Sequence, residues 1–137
     1  MKTAMSVAQW LVRIVGLAML VLGVLFWAGT ARNLVGIHML LGLILVLILW
    51  ALAALAARAG VHWGRIALAI VWGFIVPALG VLQTQLLPGD FHWVIQAIHL
   101  LVGIALLGQA DALATAVRAR SAQAEPQAGG EVQAQRG

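Results

Sequence analysis

The sequence predicts an all-α membrane protein, a four-transmembrane-helix antiparallel bundle, and three observations predict it. First, hydrophobic residues make up 64% of the 137 residues and charged residues only 9%, with a mean hydropathy of +1.04. Soluble domains hold roughly 45–50% apolar and about 25% charged residues, so water would not wet this surface. Second, the charged residues leave four uncharged stretches, Ile14 to Ala31, Asn33 to Ala57, Ile66 to Gly89 and Phe91 to Ala110. Each reaches the length of about 17–25 residues that a helix needs to cross a hydrocarbon core of roughly 30 Å. Third, the basic residues alternate in the way membrane insertion demands: with the N-terminus inside, Lys2, Arg13, Arg58, Arg65, Arg118, Arg120 and Arg136 lie on the cytoplasmic side and Arg32 alone lies outside.

The same composition excludes other classes. Disorder needs low hydrophobicity and high charge, and the 15 glycines have no collagen period. A transmembrane barrel needs alternating segments of roughly ten residues, whereas these stretches are continuously apolar. The chain has no cysteine, which removes disulfides, thiolate zinc sites, iron–sulfur clusters and cysteine nucleophiles. The net charge of +4 needs no nucleic acid to explain it, because positive-inside anchoring accounts for the same residues.

Taken in order, the spans are expected at about 10–31, 34–57, 65–87 and 91–117, within a four-helix domain over 1–120. Trp10 and Trp63 mark the inner boundary of the first and third spans, and Trp27 and Trp93 mark the outer boundary of the first and fourth. A second reading of the first segment is a secretory signal cut after the small residues Ala28-Gly29-Thr30-Ala31. Its apolar run is long for a signal, and four spans satisfy the charge asymmetry, so the helix is preferred. Short connections at Arg32, at Gly60 to Gly64 and at Pro88-Gly89-Asp90 make successive helices antiparallel neighbours. Pro77 is expected to kink or loosen the third span and free the carbonyl near Gly73. Trp50 and Trp72 are expected to pack on lipid or neighbouring helices. Residues 121–137, rich in Ala, Gln, Gly and Glu around Pro126, read as a disordered cytoplasmic tail. Both termini are then cytoplasmic, and the expected location is a bacterial inner membrane, multi-pass.

Polar residues inside a span cost a few kcal/mol and need a reason. Two of them sit in a repeat. Ile37-His38-Met39-Leu40-Leu41-Gly42 and Ile98-His99-Leu100-Leu101-Val102-Gly103 share the pattern I-H-x-L-x-G. The second and fourth helices run in the same direction, and the histidines lie about 8 and 12 Å below Asn33 and Phe91 at 1.5 Å per residue. Gly42 and Gly103 fall one turn below, on the same face, where they remove a side chain from beneath each imidazole. Two imidazoles at one level over bare helix surface suit a flat macrocycle, so the leading expectation is one haem b held by His38 and His99. Two axial histidines leave no open position and favour electron transfer over oxygen chemistry.

Arg32 is the expected partner of the propionates, with His92 and Asn33 as weaker candidates. His92 lies seven residues before His99 on the same face and is the alternative ligand. Gln83, Thr84, Gln85 and Gln96 offer hydrogen bonds to a quinone headgroup, although polar residues at a helix end are the plainer reading. His62 reads as a solvated loop side chain. Other readings of the pair stay open: a hydrogen bond tying two helices, another metal, or a proton relay. Zinc is disfavoured because only two ligands are evident. No carboxylate pair, nucleophile with a base, or phosphate loop appears.

On these residues the chain resembles the small bis-histidine membrane cytochromes of the b type, and also one four-helix half of haem A synthase. The resemblance covers Leu34 to Asp111 and barely touches the first helix. It implies haem held by His38 and His99, and the role of an electron carrier or haem-binding subunit rather than a stand-alone enzyme. The synthase pattern also sets a glutamate close to a histidine, and no Glu precedes Glu125 here, which departs from the synthase chemistry. A single haem near the outer face points to exchange with quinol or an outer-face redox partner, with oligomers allowed. A haem-free structural anchor subunit and a haem-handling protein related to the synthase are the alternatives.

Overall fold

A computed structural model describes residues 2–134, with side chains over 5–123. It is helical, with no strand among the described residues: α1 Lys2–Trp27, a 3-10 turn Arg32–Leu34, α2 Val35–Arg58, α3 Trp63–Leu82 and α4 His92–Ala134. All four helices are long and apolar enough to cross a membrane. Four of the expected boundaries shift by more than two residues. The first helix begins at Lys2 rather than 10 and ends at Trp27 rather than 31, because Gly29 takes the left-handed conformation (φ 76°) and closes the helix. The Thr30 N–H donates to the Leu25 carbonyl and the Gly29 N–H to the Phe26 carbonyl, the paired bonds of a Schellman cap. Gly60 (φ 71°) ends α2 in the same way, with Val61 bonded to Ala56 and Gly60 to Ala57.

The third helix stops at Leu82 rather than 87. Gln83 to Gln85 form a turn after it, and Leu87, just before Pro88, lies at φ 45°. Within α3, the helix runs unbroken through Pro77. The fourth helix passes 117 and continues to Ala134, over most of the stretch expected to be a disordered tail. Its alanine, glutamine, arginine and glutamate residues are good helix formers that extend a helix already nucleated, against the cost of Pro126 and the Gly129-Gly130 pair. Residues 135–137, with Arg136, lie outside the described residues. At 1.5 Å per residue α4 is about 64 Å long, about twice the hydrocarbon thickness.

Neighbouring helices run antiparallel, and α2 packs on all the others, including α4 across the bundle. One end of the bundle therefore carries the start of α1, the α2–α3 connection and the later turns of α4; we call it the Gln9 end. The other, the histidine end, carries the α1–α2 and α3–α4 connections. The core lies almost wholly toward the Gln9 end. Met5 and Val12, Leu45 through Ala56 at their buried positions, Ile66 and Ala69, and Leu106 through Val117 form one cluster; Leu45 and Val46 lie at the middle of α2, and beyond them, toward the histidine end, Ile95 is the only buried apolar side chain among the described residues.

Small residues make the close packing possible. Ala69 and Gly73, like Ala110 and Ala114, are four apart on one face and let helix backbones approach. A Cβ at Gly73 would run into the Trp50 indole, and one at Gly16 would meet Leu107 at 2.5 Å. Trp50 also stacks at a tilt on Phe74, 4.9 Å between centroids, and the Trp72 indole N–H donates to the Val102 carbonyl at 3.1 Å. The remaining tryptophans, Trp10, Trp27, Trp63 and Trp93, are exposed at the helix ends.

Candidate functional site

His38 stands one turn into α2 and His99 two turns into α4. Because these helices are parallel and in contact, the imidazoles meet across the bundle with ring centres 6.3 Å apart and planes tilted by 53°. Phe26, in the last turn of α1, sets its ring edge-on to His38 at 5.3 Å. From α3, Gly80 leaves room for the other imidazole: a Cβ there would lie 3.2 Å from His99 Cε1. All four helices thus contribute to the cluster. The Nδ1 atoms of both histidines are buried and have no hydrogen-bond partner among the described residues.

The other expected residues divide. Gly103 keeps open space above its Cα, with nothing within 4 Å of where a Cβ would stand, whereas the space at Gly42 is filled from α1, where Met19 Cε would lie 3.2 Å from a Cβ. Arg32 is exposed in the 3-10 turn just before α2, and its guanidinium lies back toward Gly29. Asn33 beside it is exposed. Gln96 is half-buried one turn before His99. His92 is not brought to His38. Its Nδ1 lies 3.3 Å from the Leu86 carbonyl oxygen and closes the α3–α4 connection. Gln83 to Gln85 form the turn that ends α3, with Thr84 and Gln85 exposed. His62 caps α3, its Nδ1 accepting from the Gly64 N–H.

No protein-family model, curated protein or solved structure matches the chain.

A second polar cluster, at the opposite end, is not evident from the sequence. Gln9, 5% exposed in α1, donates through Nε2 to Asp111 Oδ1 at 3.0 Å and accepts from Arg118. Arg13 donates to the same carboxylate oxygen at 2.9 Å and lies over the Trp10 ring. The one available signal is spacing: Gln9 and Arg13 are four apart on one helix face, and Asp111 and Arg118 seven apart on another. Every strongly polar group in this cluster has a partner, which is what a structural clasp between α1 and α4 requires.

The histidine pair has the opposite character, and its fit to a metal-centred group can be tested. An imidazole nitrogen bonds a transition metal at about 2 Å and lies about 1 Å from its ring centre, so imidazoles on opposite sides of one ion have centres about 6 Å apart. The observed centre-to-centre distance of 6.3 Å is of that size, with the Cε1 tip of the His99 ring turned toward Gly80 of α3. Among the described residues no three His, Asp or Glu gather as metal ligands. The donor set is therefore two imidazoles, fewer ligands than a bare zinc ion takes, whereas a macrocycle that brings its own four nitrogens needs only two.

Proposed function

We propose that the chain is a membrane b-type cytochrome that binds one haem b between α2 and α4, with His38 and His99 as the residues that would hold it. The observation that carries this reading is the paired imidazoles at metal-spanning distance with unpartnered buried nitrogens. A hydrogen bond tying the two helices has less support, since neither ring makes one within the described residues. The sparse packing of the histidine half also favours the haem reading, because a large apolar ring edge needs apolar surface left uncommitted by the helices.

When bound, haem with two protein ligands supplies one-electron chemistry and leaves no position for oxygen. The chain's residues do the rest. His38, one turn into α2, and His99, two turns into α4, would hold the iron, Phe26 sets its ring edge-on to His38, and Gly80 and Gly103 carry no side chain on the flanking surface. Arg32, exposed at the same end, is placed to neutralise propionate charge, and half-buried Gln96 offers an amide beside His99.

The charge asymmetry supports an orientation with both termini cytoplasmic and the histidine end outside, in the inner membrane of a bacterium. A haem held there would exchange electrons with a quinol in the bilayer or with a partner at the outer face. Protein purified in mild detergent from haem-replete cells should show a Soret band and sharp α and β bands on reduction with dithionite. His38→Ala and His99→Ala should each remove or shift them, while His92→Ala should leave them unchanged. A colourless wild-type protein would reject the reading and leave a haem-free anchor. Reduction of the oxidised protein by an added quinol tests the electron-transfer role.

A further inference from the structure

Between α3 and α4, at the Gln9 end, runs a groove of about 490 Å³, within the range of roughly 300–1,000 Å³ typical of ligand sites. It is apolar along most of its length, lined by Leu68, Trp72, Ala105 and Gly108, and polar at one end, where Arg65 and Gln109 stand. Arg65 is exposed in the first turn of α3 and has no acidic partner among the described residues. The Gln109 amide nitrogen is buried without a hydrogen-bond partner. Trp72 has already committed its N–H to the Val102 carbonyl, so it offers the groove an apolar ring. Gly108 has nothing within 4 Å of where a Cβ would stand, so the floor is open.

We propose that this groove binds one anionic phospholipid, its phosphate on Arg65 and one acyl chain laid along Leu68, Trp72, Ala105 and Gly108. Charge complementarity selects the headgroup: the uncompensated guanidinium lies at a helix start, where backbone N–H groups and the helix dipole add positive potential. The Gln109 amide supplies a donor to an ester or phosphate oxygen, ending its unpartnered state. Depth agrees as well. Trp72 is seven residues beyond Arg65, about 10 Å toward the bilayer centre, so the headgroup end meets the interface and the apolar end meets the acyl region. The site is remote from the histidines and does not depend on what they bind.

Native mass spectrometry of the full chain released from detergent micelles tests this with two lipids of the same acyl chains, phosphatidylglycerol and phosphatidylcholine. The wild type should retain one phosphatidylglycerol and about fivefold less phosphatidylcholine, as one interfacial cation warrants. Arg65→Gln should bring phosphatidylglycerol down to the phosphatidylcholine level, and Arg65→Lys should keep most of the preference. Gly108→Leu, which fills the floor, should lower retention of both lipids. Arg65 is exposed and Gly108 faces open space, so both variants should keep wild-type helicity by circular dichroism. Equal retention of the two lipids by the wild type, or unchanged phosphatidylglycerol retention in both Arg65→Gln and Gly108→Leu, overturns the proposal.

Discussion

The two halves of this bundle are written in the same apolar residues, yet they pack differently. Toward the Gln9 end, side chains from all four helices bury one another, and four polar side chains are clasped, Gln9 and Arg13 of α1 to Asp111 and Arg118 of α4 to Gln9, while Trp50 Nε1 and the Gln109 amide nitrogen are buried without a partner. Toward the histidine end, large apolar side chains such as Ile37, Leu40, Ile98 and Leu101 face outward, Ile95 is the only buried one among the described residues, and two buried ring nitrogens have no partner. In a membrane, helices gain little from hiding apolar surface, so association depends on close packing and satisfied polar contacts. By close packing the Gln9 half holds the bundle together, and the histidine half packs more loosely.

That contrast can be broken by substitution, with unfolding followed by circular dichroism in mixed micelles. The largest effect is expected at Gly73, where any side chain collides with the Trp50 indole inside the packed half. Gly73→Ala should cost about 1–3 kcal/mol by overpacking. Next comes Gln9→Leu, which removes a buried amide and leaves Asp111 and Arg118 without its hydrogen bonds. It should cost about 1–2 kcal/mol, and Arg13→Ala, whose ion pair is exposed, should cost less than about 1 kcal/mol. The smallest effect is expected in the other half. His38→Leu and His99→Leu should each change the stability of the haem-free protein by no more than about 0.5 kcal/mol, because neither ring forms a hydrogen bond that the substitution would remove. A cost of about 2 kcal/mol or more at either histidine would make the pair part of the scaffold and erase the distinction between the halves.

Much of this is legible in the sequence because charge is so sparse. Arg32, Arg58, Arg65 and Asp90 punctuate the chain, and the helices follow from them with their ends displaced by local geometry: Gly29 and Gly60 close caps, and Gln83 to Gln85 turn the chain after α3. The I-H-x-L-x-G repeat singles out His38 and His99, and parallel helices in contact bring those rings together. What spacing does not reveal depends on other helices. Gly80 matters through its approach to His99, and Gly42 differs from Gly103 because Met19 of α1 fills one space and leaves the other open. In the sequence Asp111 is only the charge that ends a span, and the fold makes it the acceptor shared by Gln9 and Arg13. The length of α4 is hidden because a segment poor in large apolar residues looks like a tail, although helix propensity and packing are separate properties.

Whether His38 and His99, on parallel helices, form one bis-imidazole haem site is decided most directly by titrating haem into the haem-free protein in detergent. Saturation at one haem per chain with a low-spin spectrum is expected, and no such saturation when either His38 or His99 is replaced by leucine. Failure of the wild type to saturate, or a wild-type spectrum in both leucine variants, would contradict the assignment.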